Sequence, residues 1–120
     1  MKERKVILTW ESIYDITDIA EEIEFIFGKR VADKFQLEIA QKIFSLNQDA
    51  DVFRDIGIEY RGWSIKRRIY KKSLIFYIVK DMENEVHVIR VLTSDQKWED
   101  IISEDVEYTY PTEWMKRDTV

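Results

Sequence analysis

Lys66, Arg68 and Tyr70 recur at every second position of one short segment. In an extended strand that spacing sets the three side chains next to one another on one face. Two cations and a phenol in a row are the groups that metal-free cleavage of RNA by its own 2′-oxygen calls for. Such cleavage needs a group to take the proton, cations to stabilise the charged phosphorane, and an acid for the leaving oxygen. Around them, Arg61 to Lys72 holds six basic residues (Arg61, Lys66, Arg67, Arg68, Lys71 and Lys72) and no acidic one, in a chain whose net charge is −5. A local positive field on an acidic chain is where an anionic target would be met. The same residues would equally make a wet, charged face whose lysines guard a sheet edge.

Composition removes most other chemistries. There is one histidine and no cysteine, which leaves no zinc ligand set, no disulfide framework and no thiol nucleophile. Glycine occurs only at positions 28, 57 and 62, too few and too scattered for a P-loop or a dinucleotide fingerprint. Asp49-Ala50-Asp51 opens like a calcium loop, but Phe53 and Arg54 fall where a ligand and a glycine are required. His87 alternates with Ile89 and Val91, the place of a structural histidine, and no serine sits in a nucleophile elbow. No cofactor or metal is implied. The apolar run Val6-Ile7-Leu8 is too brief for a signal-peptide core or a membrane span, so a cytoplasmic protein with no membrane role is expected.

The elements that position these residues follow from periodicity. Lys5 to Trp10 is rich in strand formers, and Ser12 with Asp15 has the spacing of a capping box. Ile13, Ile16, Ile19, Ala20, Ile23, Ile26 and Phe27 then form one apolar face of a helix whose other side is acidic. Gly28 follows as a cap, and Ala32, Phe35, Ile39, Ile43 and Leu46 form the stripe of a second helix, which predicts an antiparallel hairpin. Asn47 to Glu59 reads as a polar loop. Three strands are predicted after it: Arg61 to Tyr70, Ser73 to Val79 (apolar on both faces) and Glu85 to Leu92. Arg67 falls on the apolar side of the first of these. Trp98, Ile101 and Ile102 suggest a short helix, after which the chain is acidic and then aromatic (Tyr108, Tyr110, Trp114).

The expected fold is α+β, in the order β-α-α-β-β-β: a helical hairpin over one face of an antiparallel meander, then a short C-terminal helix and tail. One domain over residues 1–102 and a tail over residues 103–120 are expected. Because the middle strand is apolar on both faces, its second face needs a cover. The aromatic tail, a second copy of the chain or a different polypeptide would each serve.

Tyr60-Arg61-Gly62, the strand Ser73-Leu74-Ile75-Phe76-Tyr77, and Val86-His87-Val88-Ile89-Arg90-Val91-Leu92 followed by Trp98-Glu99 together resemble the RelE/ParE superfamily of bacterial type II toxin-antitoxin toxins, which includes plasmid stabilisation proteins. The resemblance runs from Val6 to Ile102. It implies a toxin held inactive by a cognate antitoxin. RelE-like members cut messenger RNA on the ribosome, and ParE-like members poison DNA gyrase. The chain lacks the arginine expected near Ser73 and Leu74, and Thr93-Ser94-Asp95-Gln96 replaces the basic or histidine-bearing ending of the nucleases. The resemblance therefore leans to the gyrase type, with Arg61, Lys71, Lys72, Arg90 and Trp98 as target-binding candidates. Lys66, Arg68 and Tyr70 are the catalytic set if the chain is instead a ribosome-dependent endoribonuclease, and a degenerate, non-toxic binding relative is the third alternative.

Overall fold

The computed structural model describes residues 3–111. Strand β1 (Lys5–Leu8) leads directly into helix α1 (Trp10–Phe27). The helix is capped by Thr9, whose Oγ1 accepts the Ser12 N–H at 3.0 Å and donates to the Ile89 carbonyl at 2.8 Å. The cap therefore lies three residues before the expected Ser12/Asp15 box, because Asp15 is drawn away to Arg90. Gly28, at φ 94°, ends α1 and starts α2 (Lys29–Phe44), giving the predicted hairpin.

Between Asn47 and Glu59, where a loop was expected, there is a turn of helix α3 (Leu46–Asp49) and a strand β2 (Asp55–Tyr60). In β2, Ile56, Ile58 and Tyr60 turn inward while Asp55, Gly57 and Glu59 stay exposed. Its two-residue period rests on three residues only, and Gly57, at φ 82°, sits where the register slips. Arg61 and Gly62 form the turn that follows, so strand β3 starts at Trp63 (Trp63–Tyr70) and not at Arg61. Strands β4 (Ser73–Lys80) and β5 (Glu85–Thr93) and helix α4 (Trp98–Ile102) complete the chain of elements.

The sheet runs β1-β5-β4-β3-β2. β2 to β5 pair antiparallel, but β1 pairs parallel to β5, so the sheet is mixed. β4 is central, and its alternation divides the core into two layers. Ile75 and Tyr77 pack with Val86, Val88 and Val91 beneath Ile39, Ile43 and Leu46 of the helices. Leu74, Phe76 and Ile78 pack with Ile65, Ile89 and Leu92 on the other face.

That second face is closed by the chain itself. Ile102 and Tyr108 are buried against it, with Trp98, Ile101 and Val106 around them. Residues 104–110 form a strap, tied down by Trp10 N–H to the Thr109 carbonyl (2.8 Å) and by Thr109 N–H and Oγ1 to the Glu11 carboxylate (both 3.0 Å). Of the aromatic residues in the predicted tail, Trp114 lies outside the described residues.

The far end of the strap rests on His87. Its Nδ1 is 2.7 Å from the Tyr110 hydroxyl and its Nε2 is 2.9 Å from Glu85 Oε1. A neutral ring that accepts from Tyr110 and donates to Glu85 satisfies both contacts. Burial pushes the His87 pKa down, with Lys80 adding to the shift and Glu85 and Glu83 opposing it. A depressed folded pKa makes the neutral form the stabilising one. The contribution is complete above about pH 6.5 and is lost as pH falls toward the folded value. The unfolding free energy from urea titrations should therefore fall as the pH drops below about 6.5, by no more than about 1.4 kcal/mol per pH unit. His87→Gln should flatten that slope, and an equal slope in the variant would assign the titration to another group.

Candidate functional site

The structure brings Lys66, Arg68 and Tyr70 onto one face of β3, as their spacing predicts, but that face lies toward α2 and α3. Arg68 donates to the Lys42 carbonyl at 3.1 Å and to the Ser45 hydroxyl, and its guanidinium lies 4.8 Å from the centre of the Phe53 ring. Lys66 pairs with Asp55 at 3.1 Å and donates to the Phe53 carbonyl at 3.3 Å. The Tyr70 hydroxyl donates to Glu38, with Lys42 and Lys71 about its ring. That bond raises the Tyr70 pKa and lowers the Glu38 pKa, so Tyr70 is held as a neutral phenol. Arg68 and Tyr70 therefore hold the last turns of α2 onto the sheet, and Lys66 holds the segment between α3 and β2.

The target-binding candidates are scattered. Arg61, at φ 49°, sits in the β2–β3 turn with its guanidinium 5.4 Å from the Tyr60 ring centre. Lys71 and Lys72 form the β3–β4 turn, where they pair loosely with Glu38 (3.6 Å) and Asp95 (3.7 Å). Trp98 is half-buried and stacks on Phe76 at 5.5 Å, and Arg67 reaches out over its ring at 5.1 Å. Arg90 pairs through two nitrogens with Asp15, at 2.7 and 2.9 Å. Its partner is thus on α1, and the hydrogen bond to that carboxylate raises the Arg90 pKa further.

What the sequence pattern did not single out is an apolar groove of about 740 Å³ between the tip of the helical hairpin and the β3–β4 turn. Ile19, Ile23 and Phe35 lie in it, and Lys34, Lys71 and Lys72 stand at its rim. Ile26 and Phe27, which the helical period assigns to the core face, are 58% and 66% exposed at the tip, and Phe25 beside them is 91% exposed. The available signal was three consecutive apolar residues immediately before Gly28, since a run of three cannot all lie on one helix face.

Residues 6–98 match the family described as the ParE toxin of type II toxin-antitoxin system, parDE. The chain belongs to the ParE toxin family. Among solved structures, a chain from the chromosomal ParDE toxin-antitoxin system of P. aeruginosa superposes with a TM-score of 0.64 at 17% identity, covering 76% of this chain and 96% of that one. At that identity the likeness bears on the fold alone. No curated protein sequence matches. The ParE match spans every strand from β1 to β5 and ends at Trp98, where α4 begins; the strap over residues 104–110 lies beyond it. Among the described residues, no helix is long and apolar enough to cross a membrane.

Proposed function

We propose that the chain is a growth-inhibiting cytoplasmic toxin that acts by binding and poisoning DNA gyrase, and that a cognate antitoxin neutralises it. The observation that carries the choice of target is the engagement of Lys66, Arg68 and Tyr70 by the chain's own groups. A general base must reach a substrate proton, and an electrostatic stabiliser must face the developing charge. Arg68 faces a helix-end carbonyl and Tyr70 faces Glu38, so neither is placed for a phosphodiester. ParE family membership supports the same reading. Poisoning by binding asks only for a complementary surface. The exposed cations Arg61, Lys71 and Lys72, together with Trp98, are the residues through which such a surface would act.

The test is induced expression of the chain with message integrity and DNA topology read in parallel, followed by a supercoiling assay with purified protein. The expected result is growth arrest, inhibited supercoiling and accumulation of cleaved DNA, with ribosome-bound messages intact. Message cleavage with normal supercoiling would replace this reading by the endoribonuclease one. Normal growth would point to a degenerate binding relative.

A further inference from the structure

His87 is the chain's single histidine, and the strap sets a phenol against it. The Tyr110 O–H meets Nδ1 at 2.7 Å, while Nε2–H meets Glu85 Oε1 at 2.9 Å. A carboxylate on one ring nitrogen fixes the tautomer, and the lone pair of the other nitrogen then faces a hydroxyl. That is the arrangement by which acyl-transfer sites activate an oxygen nucleophile. The His87 and Glu85 side chains are 7% and 26% exposed and belong to the sheet, whereas Tyr110 is half-buried on the strap. Other tyrosine hydroxyls meet poorer bases. Tyr77 donates to the Ala50 carbonyl at 2.6 Å, and Tyr70 donates to Glu38, whose pKa that bond lowers.

We propose that Glu85, His87 and Tyr110 form a nucleophilic site at which Tyr110 takes an acyl group from an activated ester or thioester. The Tyr110 oxygen adds to the acyl carbon, and its proton passes to His87 Nδ1. The adduct then collapses: the bond from carbon to the leaving oxygen or sulfur breaks, and that atom departs with the electron pair and takes the proton from Nδ1. The products are a Tyr110 ester, a free alcohol or thiol, and neutral His87. Glu85 is a positioning residue that orients the ring and stabilises the imidazolium formed in passing. An acylated Tyr110 has no proton to give Nδ1, so the modification also unfastens this end of the strap. None of this depends on the target of the toxin.

The probe is p-nitrophenyl acetate with the full chain, read by peptide mapping and by hydroxylamine, which reverses a tyrosine ester and leaves a lysine amide intact. Tyr14, 59% exposed, reports what exposure alone gives. Tyr110 should acetylate about tenfold faster than Tyr14 despite its lower exposure. His87→Gln should slow it about 100-fold with an unchanged circular dichroism spectrum, and Glu85→Gln about tenfold, because the ring can then take the other tautomer. The pH profile of the unaltered chain tests the base without any substitution. Burial and Lys80 lower the His87 pKa, while Glu85 and Glu83 oppose them, so the Tyr110 rate should level off from about pH 6.5. The Tyr14 rate should climb about tenfold per pH unit toward pH 9, as its phenolate forms. A Tyr110 rate no greater than that of Tyr14 overturns the proposal. So does a rate indifferent to His87→Gln, or a Tyr110 profile that climbs in parallel with that of Tyr14.

Discussion

Asp15→Ala is expected to lower the free energy of unfolding by about 3 kcal/mol, the low end of what breaking a protected ion pair costs. The carboxylate accepts from Arg90 through two nitrogens and from the Val91 N–H at 3.0 Å, so one side chain satisfies three donors. Its side chain is 11% exposed and that of Arg90 is 22% exposed, so the pair is largely shielded from water. Removing Asp15 leaves a guanidinium and a backbone N–H without their acceptor in a largely buried setting, which is costlier than losing the attraction alone. Asp15→Asn retains an acceptor for Val91 and removes the charge, and should lose roughly half as much, on the order of 1–2 kcal/mol. Urea unfolding followed by circular dichroism measures both. A loss below about 1 kcal/mol for the alanine variant would mean that the pair does not hold α1 to β5.

How far the sequence discloses this arrangement depends on the range of the interaction. The alternation of β3 and the doubly apolar β4 are visible because a strand's period is two and both of its faces are covered. The hairpin is visible because Gly28 interrupts two helical stripes. The Asp15–Arg90 pair joins residues 75 positions apart, and nothing local marks it. Read locally, Asp15 looks like a capping residue and Arg90 like a surface cation. Lys66, Arg68 and Tyr70 show the opposite limit. Their shared face is legible from spacing, but alternation does not say which face the helices will cover, so it does not reveal that Arg68 meets the Lys42 carbonyl and Tyr70 meets Glu38. β2 was missed because three inward residues are too few to establish a period against Asp55, Gly57 and Glu59.

The second large effect is at Tyr108, where two substitutions should act in opposite directions. Tyr108 is 4% exposed and its ring lies 4.9 Å from that of Tyr60, so it anchors the strap in the second core layer. Its hydroxyl is buried without a hydrogen-bond partner. Burial pushes its pKa up to about 12, and the Arg90 guanidinium opposes that rise. Tyr108→Ala removes the ring and should cost about 3 kcal/mol, with a gain in dye binding as Phe76, Ile78 and Ile89 lose their cover. Tyr108→Phe keeps the ring and deletes only the unpartnered hydroxyl, so stability should hold or rise by up to about 1 kcal/mol. If the alanine variant loses less than about 1 kcal/mol, α4 and the sheet close the second layer without the strap. If the phenylalanine variant is as damaged as the alanine one, the hydroxyl has a partner in solution, and Arg90, whose charge already acts on it, is the group to test by a double-mutant cycle. Because the strap also carries the Thr109–Glu11 and Tyr110–His87 tethers, its release in Tyr108→Ala should abolish the pH dependence assigned to His87. The two measurements therefore check each other: a Tyr108→Ala chain that retains the full slope below about pH 6.5 would show that His87 titrates independently of the strap.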